Sequence, residues 1–172
     1  MSASDEAVIA KHYEQQGWGK PVEILTYERV PGMYKAVFSD GADYGVIRGG
    51  KLALDKGLGP AGAYMKGAKL AATQPDARDL TTLLSIFEAL PPVSGYASPD
   101  QFYDHATKHT QLNPKVEWAA GGGKLVLHYL VPHKGAVAQP NLVPVKRWTL
   151  AIPADYKLAW REEETKLDSS GP

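Results

Sequence analysis

The chain has no cysteine, and this single absence excludes disulfide bonds, thiolate catalysis and cysteine-ligated metal centres. It does not identify a cellular compartment, because a chain of this size can lack cysteine by chance in any of them. An apolar fraction of 44% is that of an ordinary globular protein. The chain is long enough to bury a core without a metal or a disulfide.

An excess charge and a long apolar run are also missing. Nineteen basic residues balance nineteen acidic ones, which argues against a nucleic-acid binder or an anionic-membrane binder. No apolar run approaches the roughly 18 residues of a membrane span, and the polar start "MSASDEA" is not a signal peptide. We therefore expect a soluble protein. Two locations remain compatible with the sequence: the cytoplasm and, with a leader removed, the cell envelope or the exterior of the cell.

Short runs of β-branched and aromatic residues cluster in two segments, about residues 22–55 and 115–164. Within each segment the runs are separated by Gly- and Pro-containing turns such as Pro31-Gly32 and Asp40-Gly41, and tight turns of this kind join antiparallel strands. Helical patterns precede the first segment and lie between the two, at residues 76–90 and 98–109. The order predicts an α+β protein with two antiparallel meanders backed by helices.

The expected organisation is one globular domain over residues 1–172. An alternative is two subunits, 1–73 and 74–166, that share a core, with a disordered tail at 167–172. The stretches "VPGMYKAVF" and "GGKLALDKG" resemble the helix-plus-hairpin unit of cystatin-like domains. In broad architecture the whole pattern resembles cystatin-like and NTF2-like folds, which implies curved sheets with helices on one side.

Gly57, Gly59 and Gly62 have the G-x-G-x-x-G spacing of a dinucleotide-binding turn. That turn needs a strand before it and a helix after it, with a second parallel strand about thirty residues on. Here a second helical pattern occupies the place of that strand, and Pro60 removes a backbone N–H that a phosphate would need. We predict a flexible connection in this segment and no bound cofactor.

The same part of the chain is locally basic, which indicates either a solvated face or a surface for an acidic partner. The candidate partner-binding residues are Arg48, Lys51, Lys56, Lys66 and Lys69.

His105 and His109 are spaced i, i+4 on the predicted 98–109 helix, as two ligands of a metal would be. Ala106 replaces the glutamate of the H-E-x-x-H zinc signature. A third ligand would have to come from His128 or His133, so we predict no metal site.

We expect a non-enzymatic binding or accessory protein that holds a protein or a small ligand on a sheet face, in a pocket or at an edge strand. No nucleophile motif is present, and the aromatic residues of the first third suit a binding surface or a core. The alternative is a small enzyme whose acid–base pocket contains His128 and Asp104, while a homo-oligomer is left open. Trp148 and Trp160 are expected in the core of the second meander.

Overall fold

The computed structural model describes residues 1–92, 98–103, 109–131 and 142–168. It begins with helix α1 (Ala3–Gln15), whose N-cap is Ser2. The Ser2 hydroxyl accepts from the Asp5 N–H while the Asp5 carboxylate accepts from the Ser2 N–H, which satisfies two otherwise free donors. The sequence places Ser4 or Asp5 at this cap, so the helix begins earlier than its pattern indicates. Gly17 ends it with a φ of 82°, a conformation that glycine adopts without strain.

The first sheet has the order β1 (Glu23–Thr26), β2 (Met33–Phe38), β3 (Gly41–Arg48), β4 (Lys51–Leu52), all antiparallel. Helix α1 packs on one face of this sheet through Ile9 and Tyr13. The buried sheet residues in this cluster are Tyr34, Ala36, Phe38 and Ile47. The Tyr13 hydroxyl donates to Asp43 at 2.9 Å, which fixes the position of the helix on the sheet.

A helical layer follows, with α2 (Leu58–Ala68), α3 (Leu70–Thr73) and α4 (Ala77–Ile86). The Asp76 side chain caps α4 by accepting from the Asp79 N–H at 2.8 Å. The prediction of one helix over 98–109 is wrong for the residues of this range that the structure describes. Only a 3₁₀ turn, Pro99–Phe102, forms there, and a second 3₁₀ turn covers Thr110–Leu112.

The second sheet has the order β5 (Lys115–Ala119), β6 (Gly122–Leu130), β7 (Leu142–Ile152), β8 (Ala159–Asp168), also antiparallel. Leu125, Leu127, Trp148 and Leu150 are buried on one face. They form a cluster with side chains of α2 and α4 and with Met33 and Val46 of the first sheet. The predicted α+β fold with two antiparallel meanders is confirmed, and side chains from both meanders share this core cluster.

Four aromatic side chains join distant parts of the chain by hydrogen bonds to backbone groups. Trp118 donates to the Pro75 carbonyl at 2.9 Å, and Trp160 donates to the Ala89 carbonyl at 2.8 Å. Tyr64 donates to the Pro31 carbonyl, and the Tyr156 hydroxyl accepts from the Ala71 N–H. Trp148 is 4% exposed, whereas Trp160 is half-buried against the core.

The glycine-rich segment is not the flexible connection that its sequence indicates. Gly57 is the N-cap of α2, and Gly59 and Gly62 lie inside this helix. Gly62 is buried, and a Cβ atom there would collide with the backbone carbonyl oxygen of Tyr156. The preceding strand, β4, is two residues long and antiparallel to β3, so this arrangement differs from the parallel strand–turn–helix unit of a dinucleotide site.

Candidate binding groove at a sheet edge

The two sheets present four edge strands, and these edges differ in how open they are to further pairing. Strand β4 has only two residues, β5 carries Lys115 and Glu117, and β8 carries the charged run Arg161 to Glu164. Short length and charge both discourage an edge from pairing with another strand. Strand β1, with the sequence EILT, has one charged residue and is the least protected of the four edges.

The direction of the β1 backbone groups follows from the register of the sheet. The Ile47 N–H donates to the Gly32 carbonyl at 2.8 Å, so alternate residues from Gly32 onward hydrogen-bond to β3 and the residues between them point toward β1. Lys35 and Val37 are two of these, and they pair with Leu25 and Glu23.

It follows that Leu25 and Glu23 use their N–H and C=O groups within the sheet. Ile24 and Thr26 direct theirs toward the open edge, because successive residues of a strand alternate in direction. Within the described residues, β2 is the only strand paired with β1.

A groove of about 530 Å³ lies between α1 and the segment Lys20 to Ile24. The helix contributes three small side chains, Ala3, Ala7 and Ala10, on the side next to Ile9 and Tyr13. Since i, i+4 and i+7 positions share one helix face, these alanines form a continuous apolar wall. Their short side chains leave space beside β1 that larger residues would fill.

Charged side chains surround this apolar wall: Glu6, Lys11, Glu14 and Lys20. All four are exposed. None of them forms an ion pair with another residue of the described ranges. Their charges are therefore available to a molecule that enters the groove.

The face of the first sheet opposite α1 is partly uncovered next to the same strand. Leu25 is 42% exposed and Tyr44 is 38% exposed, and the Lys35 ammonium lies 5.6 Å from the centre of the Tyr44 ring. Burial, followed by the neighbouring Tyr44, raises the pKa of Tyr27 to about 12, so the Tyr27 phenol stays neutral at physiological pH. Strand β1 thus has accessible apolar surface on both sides.

The predicted basic surface is divided between different structural positions. The Arg48 guanidinium donates to the Gly67 carbonyl in the last turn of α2, and Lys56 donates to the Ile86 carbonyl at the end of α4, at 2.7 Å. Cations are favourable at helix C-termini, so these two residues stabilise helix ends. Lys51 and Lys69 are exposed, and Lys66 lines a second cavity of about 380 Å³ between α2 and the β7–β8 turn.

The predicted histidine and carboxylate positions are only partly described. His128 lies on β6 opposite Arg147, on the face that alternates with the buried Leu125 and Leu127. Asp104 and His105 lie outside the described residues. His109 has a φ of −134° and a ψ of 70° and precedes a 3₁₀ turn, so it is not within a helix. Across the described ranges, no group of three side chains has the make-up of a metal site.

Comparison with protein-family models, with curated proteins and with solved structures finds no match to this chain. The resemblance to cystatin-like and NTF2-like architecture is therefore not confirmed by a matching structure or family model. No helix in the part of the chain that the structure describes is long and apolar enough to cross a membrane.

No motif in the sequence predicts the groove, although one signal of it is present. Ala3, Ala7 and Ala10 recur at helical spacing beside the apolar Ile9 and Tyr13. Small residues beside an apolar stripe leave room next to a helix. Whether that room becomes a groove depends on the position of α1 relative to the segment Lys20 to Ile24, which only the structure gives.

Proposed function

We propose that this chain is a non-enzymatic binding protein that receives an extended segment of a partner polypeptide beside β1. The observation that carries the proposal is the outward direction of the Ile24 and Thr26 backbone groups at the open edge of the first sheet, next to the groove between α1 and the segment Lys20 to Ile24. Donors and acceptors that alternate along a strand edge are complementary to another extended backbone, which binds by adding a strand to the sheet.

The surroundings of β1 support this mode of binding over a small-molecule pocket. An added strand directs successive side chains to opposite faces of the sheet. On one face they meet the alanine wall of α1, and on the other they lie next to the exposed Leu25. Both sides of the strand therefore bury apolar area, which contributes about 25 cal/mol per Å².

The test uses peptides selected from a random dodecapeptide library on sparsely immobilised protein. Sparse immobilisation keeps protein molecules apart, so the β1 edge of each one is accessible. Binding of a selected, fluorescein-labelled peptide is then measured by anisotropy against the wild type, Thr26→Pro and the matched control Thr26→Ala.

Thr26→Pro removes one outward N–H and places a ring in the path of the added strand, while the β1–β2 hydrogen bonds at Glu23 and Leu25 are kept. Affinity should fall at least about tenfold, since a lost hydrogen bond and a steric obstacle act together. Thr26→Ala keeps the N–H and should bind like the wild type. Equal binding by Thr26→Pro, with an unchanged thermal midpoint, would contradict the proposal, as would a library that yields no binder.

A further inference from the structure

We infer that the segment received beside β1 presents a basic side chain opposite Glu23 and apolar side chains opposite Ile24 and Leu25. Read from its N-terminus, such a segment has the order apolar, apolar, basic. This inference rests on the proposed function and specifies the chemistry of the partner.

The order follows from antiparallel pairing, which is the more stable arrangement per residue and the one used throughout this sheet. Ile24 and Thr26 direct their backbone groups outward, so they form the hydrogen-bonded pairs with the incoming strand. Glu23 and Leu25 then form the non-hydrogen-bonded pairs, in which facing Cα atoms are only about 4.5 Å apart. These two side chains therefore make the closest cross-strand contacts on the uncovered face.

Each contact selects a different kind of side chain. Leu25 is 42% exposed, so an apolar residue opposite it removes apolar surface from water on both strands. Glu23 is exposed and has no ion pair within the described ranges. Opposite charges stabilise a cross-strand pair and like charges destabilise it, so lysine or arginine is favoured at this position.

The middle residue of the segment lies opposite Ile24 and points to the α1 side. There it faces the wall of Ala3, Ala7 and Ala10. The wall has no charged atoms of its own and the alanine side chains are short. A medium-sized apolar residue fits this space, because it removes the alanine side chains and its own apolar surface from water.

A second copy of this chain does not supply the required order. If two β1 strands pair antiparallel about Ile24, Glu23 faces Leu25 of the other copy. If they pair about Leu25, Glu23 faces Tyr27. Arg29, the nearest basic residue on the C-terminal side, lies in the turn after β1. Neither register places a cation opposite Glu23, so the charge arrangement favours a different polypeptide.

The experiment combines a library-selected peptide with a charge exchange. The basic residue of the selected peptide is replaced by Glu, and both peptides are titrated by anisotropy against wild type, Glu23→Lys and the neutral control Glu23→Gln. The wild type should prefer the basic peptide about three- to tenfold, and Glu23→Lys should reverse this preference. The neutral variant should show a smaller preference, and 1 M salt should reduce all of these differences.

The outcomes separate the inference from the proposed function. Binding that is lost in Thr26→Pro but shows the same peptide preference in Glu23→Lys would overturn the inference and leave the function standing. Binding that is insensitive to Thr26→Pro would overturn both. Sedimentation velocity tests whether the protein forms a dimer. A dimer that disappears in Thr26→Pro would identify a second copy as the occupant and overturn the inference.

Discussion

Gly62 and Gly59 lie three residues apart in α2, and replacing each with alanine should have opposite effects on stability. A Cβ atom at Gly62 would meet the backbone carbonyl oxygen of Tyr156 well inside van der Waals distance, and Leu158 Cγ at 3.4 Å. A Cβ atom at Gly59 has no neighbouring atom within 4 Å. Both variants thus make the same chemical change in the same helix, but only Gly62→Ala creates a steric conflict.

The magnitudes follow from two opposing effects. Alanine favours a helix interior over glycine by about 1 kcal/mol, and Gly59 in the first turn should gain about half of that. Overpacking costs about 1–3 kcal/mol, and at Gly62 the displaced atom belongs to the backbone, which yields less than a side chain. Gly62→Ala should therefore lose about 1–2 kcal/mol net, so the two variants differ by about 2 kcal/mol.

Urea unfolding followed by circular dichroism measures this difference, and an unchanged slope would show that the compactness of the unfolded state is unaffected. For a chain of this length the thermal midpoints should differ by about 4–8 °C. Gly62→Ala would refute the reasoning if its stability rose together with that of Gly59→Ala. That result would mean that α2 does not lie against the β7–β8 turn.

Three other expectations concern the core, a carboxyl group and the glycine spacing. Trp148→Ala should lower the free energy of unfolding in urea by about 3–5 kcal/mol. The substitution removes a 4% exposed side chain whose ring packs edge-on against Phe102. A near-wild-type midpoint would mean that Trp148 lies at the surface. Burial, followed by the charge of Asp76, raises the pKa of Asp79 above its usual 3.8. Ionisation of Asp79 therefore lowers the stability of the folded state as pH rises from about 3.8 through the folded-state pKa, and Asp79→Asn should increase stability at neutral pH. An NMR titration midpoint of Asp79 at or below 3.8 would contradict this expectation. Addition of NAD or ATP at millimolar concentration should leave the thermal midpoint unchanged, whereas a saturable rise would indicate a nucleotide site.

The strands and the fold class were predictable because their signals are local. Alternating apolar residues separated by Gly and Pro turns define β2, β3, β6 and β7 without reference to anything distant. Helix α4 is equally clear, since Leu80, Leu83 and Leu84 recur at helical spacing after an Asp cap.

The errors arose where tertiary contacts override local preference. The three glycines of the G-x-G-x-x-G segment have poor helix propensity, yet two of them lie in α2, and at Gly62 the close approach of the Tyr156 carbonyl oxygen requires a residue without a Cβ atom. The pattern at 98–109 has a strong start, with Ser98 as cap and Pro99 at the first position, but the described helical turn ends at Phe102. The groove depends on the position of α1 relative to the segment Lys20 to Ile24, which no local pattern encodes.

The hydrogen bonds from aromatic side chains to backbone groups also constrain how the chain folds. The two tryptophan bonds join residues 43 and 71 positions apart, and the bond to the Tyr156 hydroxyl spans 85 positions. Each of them joins a segment before or after α4 to the second sheet, which is synthesised after both segments. Contacts of such long sequence separation form only after large loops have closed, and this slows folding. The loop around Pro75 and the end of α4 near Ala89 therefore acquire their final positions only when the C-terminal strands are in place, so refolding should end in a single late step rather than proceed from the N-terminus in stages.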